Sequence, residues 1–465
     1  MTDCLLNRRN ALAGIGGSIA LGQVTHGGVS AAQTAVSAEN PLNFETFGAI
    51  GNGFADDTVA VQSALDSGAR VLSRFGVYAI SSPIRIAHTA ALDLSGTVLR
   101  QAPGAHLRRL AVVAVSLQGA PRQSSTTVVV DGARSRNSSD VVGVEVRKLK
   151  TGLGQLTAAA IDCGTGVRIT GQVEYARINA HAERCDIGVH LLPDGDRTPD
   201  ELLLDVVAHD CESFFRSEGR RKMTGAIRFA CEQSDDWGVR FDDVGWYELA
   251  GIIRACGKRS GGGLRVDGAE LRGHLKIVGG SGENCEWATD LVSGRMEGLT
   301  ISVSGRYANG LRVAGDVEGS VKLFLQTAPR GLEGGLVLGE GVTPLDGFRV
   351  EDGSRVVVQD SGRAIDLRNC RNCYLGLDQL SGVCRISDQA TGNTISVPRK
   401  AALQGVMFEN QREAKDNRIL YRGVYSIEQL GRLNRGRLFA GMEAEMCSEF
   451  GMRSVVFDGQ EWIAA

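Results

Sequence analysis

Proline is scarce in this chain, 9 in 465 residues, and aromatic side chains make up only 5%. Neither sign of charge prevails, with 51 basic against 54 acidic residues, so nothing global attracts nucleic acid. No uninterrupted apolar run reaches the ~18 residues that a spanning helix needs, and no membrane span is expected. A hydrophobic share of 43% excludes a disordered polyampholyte. What the chain has in excess is glycine, 61 residues or about 13% against a usual ~7%. Without proline or a G-X-Y period this is not collagen. It suits a turn-rich β protein with a large core.

Residues 1–40 read as an export signal and linker. Arg8-Arg9 precede a weakly apolar stretch, Ala11 to Leu21, and small residues follow around Val29-Ser30-Ala31-Ala32 and Val36-Ser37-Ala38. Basic, apolar and small-residue parts in that order make an export signal. The arginine pair resembles a twin-arginine signal, with Asn7 and Ala11 departing from its usual pattern. The expected location is periplasmic or secreted.

Beyond it the chain repeats. Cysteines at 163, 185, 211, 231, 256 and 285 step by 22, 26, 20, 25 and 29 residues. A Gly-apolar-x-apolar segment runs in parallel: Gly166-Val167-Arg168-Ile169, Gly188-Val189-His190-Leu191, Gly238-Val239-Arg240-Phe241, Gly263-Leu264-Arg265-Val266 and Gly310-Leu311-Arg312-Val313. Looser copies include Phe214-Phe215-Arg216-Ser217 and Asp290-Leu291-Val292-Ser293. Two or three short strands per ~25 residues, with glycine turns, describe one coil of a parallel β-helix. Coils stack about 4.8 Å apart, so equivalent residues form ladders, and a cysteine per coil predicts an inward ladder of free thiols. Cys370-x-x-Cys373 with Cys384 supplies three ligands and no nearby histidine, so no metal site is predicted. No cofactor is predicted either, with calcium left open.

Residues 44–86 carry Phe47-Gly48-Ala49, Gly51-x-Gly53, Asp56-Asp57-Thr58, Ala60, Gln62 and Gly76-x-Tyr78 before an apolar strand. This segment resembles the entry to the pectate-lyase-like superfamily, which includes polygalacturonase relatives, polysaccharide lyases and phage tailspike depolymerases. Ser73-Arg74-Phe75 stands where that family usually has a proline. The resemblance implies an all-β, right-handed parallel β-helix over 41–400, entered through a capping helix. It says little of the reaction, because the fold hosts many chemistries. Asp56 or Asp57 can cap a helix through Val59 to Leu65 that plugs the coil stack.

In each repeat segment the x side chain points outward. The row reads Arg168, His190, Arg216, Arg240, Arg265, Val292, Arg312, Val337 and Asp366. Stacked cations repel, so the row needs interleaved carboxylates or an anionic partner. Glu218, Asp242 and Asp267, each two residues past an arginine, fit the first; an acidic polysaccharide fits the second. Trp237, Trp246 and Tyr247 lie among Asp235, Asp236, Asp242 and Asp243, a mixture that suits sugars or packs beneath a loop. Asp235-Asp236 resembles the double-aspartate coil of polygalacturonases. Gly262, however, replaces the histidine of their next coil, and Ser213-Phe214-Phe215 replaces Asn-x-Asp. That implies shared coil geometry without the full polygalacturonase signature.

Elimination needs a base beside cations that neutralise a uronate carboxyl, roles open to His181, His209, Arg228, Arg254 and Lys276. Hydrolysis needs two carboxylates, available from Asp205, Asp210, Asp235 and Asp236. The predicted catalytic set is His181, His209, Asp210, Arg228, Asp235, Asp236 and Arg254. The predicted substrate-binding set is Arg216, Arg240, Arg265, Lys258, Trp237, Trp246 and Tyr247. Over 401–465 the coil pattern fades into a helix near Ser426 to Leu430 and a hairpin on Asp458-Gly459. This end resembles the small β modules of phage tail proteins, which support trimers, or simply caps the stack. The reading is an exported lyase acting on a uronate-containing polysaccharide. A polygalacturonase-like hydrolase, a C5 epimerase and a non-catalytic adhesin are the alternatives.

Overall fold

The computed structural model describes residues 42–465 apart from 68–70, 73–75, 88–91, 95, 106, 108–109, 119–124, 134–139, 151–154, 194–198, 221, 281–286, 306–308, 314–316, 328–333, 339–348, 352–354, 358–362, 369–373, 377–378, 382, 388–391, 404–406, 411–415, 434–439 and 449–450. Residues 1–40, where an export signal is expected, and Cys285, Cys370 and Cys373 lie outside the described residues. Among the described residues no helix is long and apolar enough to cross a membrane.

Parallel strands stack into a solenoid of about ten turns. The first sheet climbs through Ala111–Gln118, Val142–Lys150, Thr165–Glu174, Ile187–Leu191, Ser213–Glu218 and Val239–Asp242. The second climbs through Ser125–Asp131, Gln155–Ile161, Arg177–Glu183, Leu202–Cys211, Thr224–Ser234 and Trp246–Cys256. Gly262–Gly280 and Trp287–Gly305 then serve both sheets in one strand, bending at Gly268 and Gly294, whose φ values of 101° and 117° exclude most side chains. Inward residues alternate with outward ones along each strand. Inside, Phe215 of the first sheet meets Phe229 of the second at 5.6 Å between ring centres, and Phe241 meets Phe215 at 5.3 Å and Tyr247 at 5.1 Å.

A repeated backbone device joins the second sheet to the first. Asp162, Arg184, Asp210, Gln233, Ala255 and Gly279 occupy the same corner of six successive coils, and all are left-handed, with φ between 49° and 66°. The kink turns the next side chain inward: Cys163, Cys185, Cys211, Ser234 and Cys256. Four of these thiols donate to the carbonyl two residues back, Cys163 to Ile161 at 3.3 Å, Cys185 to Glu183 at 3.5 Å, Cys211 to His209 at 3.4 Å and Cys256 to Arg254 at 3.7 Å. The thiols are free and buried. The cysteines do not form one ladder, however: Cys231 lies in the adjoining strand, in register with Ala208 and Ile253.

Helix Thr58–Asp66 closes one end, burying Val61, Ala64 and Leu65. Asp56 accepts from the Thr58 amide at 3.1 Å and from Ser81 Oγ at 2.6 Å. Asp57 instead ties down the preceding loop, accepting from the amides of Ile50 at 2.7 Å and Gly51 at 3.1 Å. At the other end parallel pairing continues past residue 400, as far as Tyr425 against Met446. Only then does the sheet turn antiparallel, through Met442–Ser448, Gly451–Phe457 and Trp462–Ala464. Helix Ile427–Arg432 starts on a capping box between Ser426 and Gln429, and Asp458 holds the last turn by accepting from the amides of Gln460 and Glu461.

Candidate functional site

The outward row of the first sheet runs Glu145, Arg168, His190, Arg216, Arg240, Arg265, Asp290. Asp290, not Val292, follows Arg265, and it is 0% exposed. The cations are therefore bracketed by buried carboxylates, and further acids sit between them. Arg168 meets Glu145 at 2.8 Å, Arg265 meets Asp290 at 3.7 Å, Arg216 pairs with Glu218 and Arg240 with Asp242. His190 Nε2 stands 3.5 Å from Glu218 without an aligned hydrogen bond. Burial pushes the His190 imidazole below its ordinary pKa against the pull of Glu218, and the cations Arg216 and Arg168 push the same way. The row is self-neutralising, so Arg216, Arg240 and Arg265 are poor anchors for an external anion.

The outer face of the second sheet differs. His209, Glu232 and Arg254 form one column over three successive coils. Arg228 lies in the column Asn179, Asp205, Arg228, Ala250, and Lys276 in the column His181, Val207, Ala230, Ile252, Lys276. Arg228, Arg254 and Lys276 are exposed, and among the described residues none of their side chains makes a hydrogen bond or ion pair. His181 is partly buried, its Nδ1 has no partner among the described residues, and burial lowers its pKa against the pull of Asp205. Asp205 is already engaged by Arg177 at 2.9 Å. His181 and Arg228 are two coils apart, about 10 Å, so the predicted elimination groups share a face without converging.

The remaining predicted residues occupy the left-handed corner between the sheets. Asp210 is exposed there, one coil from Arg184, which grips Asp162 at 2.8 and 3.0 Å. Asp235 and Asp236 carry the loop of the next coil. Arg259 reaches Asp235 at 3.1 Å, Ser260 Oγ donates to Asp236 at 3.1 Å, and the Arg259 amide donates to the Asp235 carbonyl at 2.8 Å. Gly261 fits this seat at φ 77° only because it lacks a Cβ, which would meet Asp236 Oδ1 at 2.5 Å. Lys258 projects from the same loop, exposed, its amide donating to Ser234 O at 3.0 Å. Both aspartates thus act as loop ligands, and they stack near Asp186 and Glu212. Burial, then those neighbours, raise the Glu212 pKa.

Two of the three predicted aromatic platforms are internal. Trp237 is 8% exposed, beneath Gly262, and Tyr247 is 1% exposed. Tyr247 donates to Asp243 Oδ2 at 3.0 Å, in a buried knot with Ser217 and the Gly245 amide. Burial raises the Asp243 carboxyl pKa there, against those hydrogen bonds. Trp246 is partly exposed, with the Arg272 guanidinium 4.2 Å from its ring centre and Nε1 pointing to Glu297 at 3.5 Å. Sequence reasoning missed the acids around it, Glu248, Glu270 and Glu297, and it missed Tyr175, 62% exposed at φ 50°. The period-2 rule was the available signal, since adjacent Trp246 and Tyr247 must face opposite sides of a strand.

No family model matches the chain, and a search of curated proteins finds no match. Solved structures give likenesses of fold. The ORF18 protein of Geobacillus virus E2 matches with a TM-score of 0.41 at 15% identity, over 62% of this chain and 61% of that one. The chain thus spans 61% of the length of that protein. PfbA, a surface adhesin of Streptococcus pneumoniae, matches at 0.37 and 10% identity, over 91% and 98%. Tailspike protein 3 of bacteriophage CBA120 matches at 0.40 and 13% identity, over 91% and 69%.

Proposed function

We propose that the chain is an exported solenoid that binds an extended anionic polysaccharide across the outer face of its second sheet. One observation carries this reading: Arg228, Arg254 and Lys276 rise from three successive coils without a partner among the described residues. Each coil adds about 4.8 Å and the three stand in different columns, so they form a broad cationic patch that an anionic polymer can cross. Exposed Lys258 and His209 flank the patch, and Glu232 is its one exposed acid within the columns. Flexible, unpaired side chains on a flat sheet favour holding a chain over cutting it. Titration calorimetry with polygalacturonate and alginate tests this. Binding should weaken steeply between low and high salt and be lost when Arg228, Arg254 and Lys276 are all replaced by serine. Equal binding by that variant overturns the reading.

Elimination on the same face is a second reading, favoured by His181. Burial lowers its pKa and so favours the neutral imidazole, the form that can take a proton from beside a uronate carboxyl. Absorbance near the unsaturated-product band, present for the parent and absent for His181→Ala, would support it. Reducing ends without that absorbance would mean hydrolysis.

A further inference from the structure

A different edge of the second sheet has the opposite character. Tyr175, Glu201, Thr224, Trp246 and Glu270 are equivalent residues of successive coils, where the chain enters the second sheet. Tyr175 and Glu201 are both left-handed, with φ values of 50° and 49°. That conformation is an outlier for a bulky residue, and here it holds an aromatic ring 62% exposed, with no ring contact or side-chain hydrogen bond among the described residues. Three coils on, roughly 14 Å away, stands Trp246. Its ring is fixed before any ligand arrives, stacked by Arg272, which is itself bound to Glu248 at 2.6 Å.

Between and beyond the rings the polar groups are acceptors. Asp200 accepts from Thr224 Oγ1, and that hydroxyl in turn accepts from the Glu201 amide at 2.9 Å. Glu270 and Glu297 adjoin one another beside Trp246. With Glu248 held by Arg272 at 2.6 Å and Glu297 facing Arg295 at 3.6 Å, the corner offers a uronate no row of unpaired cations. Sugar hydroxyls, by contrast, find carboxylate acceptors and flat rings for their C–H faces.

We propose that this corner, from Tyr175 to Trp246, is a stacking strip for a neutral, hydroxyl-rich saccharide chain lying parallel to the solenoid axis. It is separate from the cationic face and does not depend on it. An extended pyranose chain advances by about one coil per sugar, so a ligand of about four units reaches both rings.

The test is tryptophan fluorescence and calorimetry with neutral cello- and malto-oligosaccharides of two to six units, with oligogalacturonates as the charged comparison. Affinity should rise with length and level off once both rings are spanned. Trp246→Ala should lower it by about ten-fold or more and abolish the fluorescence change, while Trp246→Phe, read by calorimetry, keeps most of the affinity. Tyr175→Ala should weaken only the longer ligands, and both variants should melt like the parent. The Arg228, Arg254 and Lys276 triple serine variant should bind the neutral series normally, which separates this strip from the polyanion face. No binding by any neutral oligosaccharide, equal binding by Trp246→Ala, or stronger binding of the galacturonates through Trp246 overturns the proposal.

Discussion

On the first sheet Arg168, Arg216, Arg240 and Arg265 each stand within ion-pair reach of a carboxylate, and buried Glu145 and Asp290 close the row. On the second, Arg228, Arg254 and Lys276 stand in solvent with no described partner. Both sheets carry one cation per coil, but the first stacks them in a single paired column, whereas the second spreads unpaired ones over three columns. A paired row cancels its potential within a few ångströms, whereas unpaired charges act out to the Debye length of about 8–10 Å. Counting arginines therefore does not locate an anion site. The decisive feature is which arginines lack an internal partner.

The largest expected effect removes what the sheets share. Phe215→Ala takes out the ring between Phe229 and Phe241 and should cost about 3–5 kcal/mol in denaturant unfolding. Both sheets should be lost in one transition; separate transitions would mean the faces fold independently. Next, Asp290→Ala should destabilise by about 1–3 kcal/mol, because it strips a buried acceptor and leaves Arg265 without its carboxylate. The same measurement on Arg254→Ala should change stability by less than about 0.5 kcal/mol. Equal losses from the two variants would erase the distinction between paired and unpaired rows.

A smaller effect is pH-dependent. His190 has a native pKa depressed by burial, so its contribution is fully present above its ordinary value of 6.5 and is lost as pH falls through the lower native value. His190→Gln should therefore narrow the drop in melting temperature between pH 7 and acid, with no change above neutrality. An unchanged acid slope would mean that the row does not sense the imidazole. Smallest of all, replacing Arg228, Arg254 and Lys276 with serine should leave the melting temperature within a degree or so while it removes polyanion binding.

The period of the coils was legible because stacking forces equivalent residues into like environments, which repeats Gly-Val-Arg-Ile as Gly-Val-His-Leu and Gly-Val-Arg-Phe. The row slipped at Val292 because Ala288 replaces the marker glycine, so the apolar pattern alone chose the wrong frame for Asp290. The capping helix and the Ser426 cap were readable from local hydrogen-bond chemistry. The candidate site was less so. Whether Asp235 and Asp236 face substrate or seat a loop depends on Ser260 and Gly261 of the following coil, which no linear spacing reveals. Likewise, Tyr175 becomes a candidate only once its backbone is known to be left-handed.

The kinked corner also governs where this molecule can change length. Because each kink fixes the departure angle of the chain, extra residues placed just after it bulge away from the stack, as Asp235-Asp236 and the Lys258–Ser260 loop already do, and the strands above and below keep their partners. At this corner the connection ranges from one residue, between Cys211 and Ser213, to five, between Cys256 and Gly262, which leaves a tolerant position at which new loops can be grafted without disturbing register.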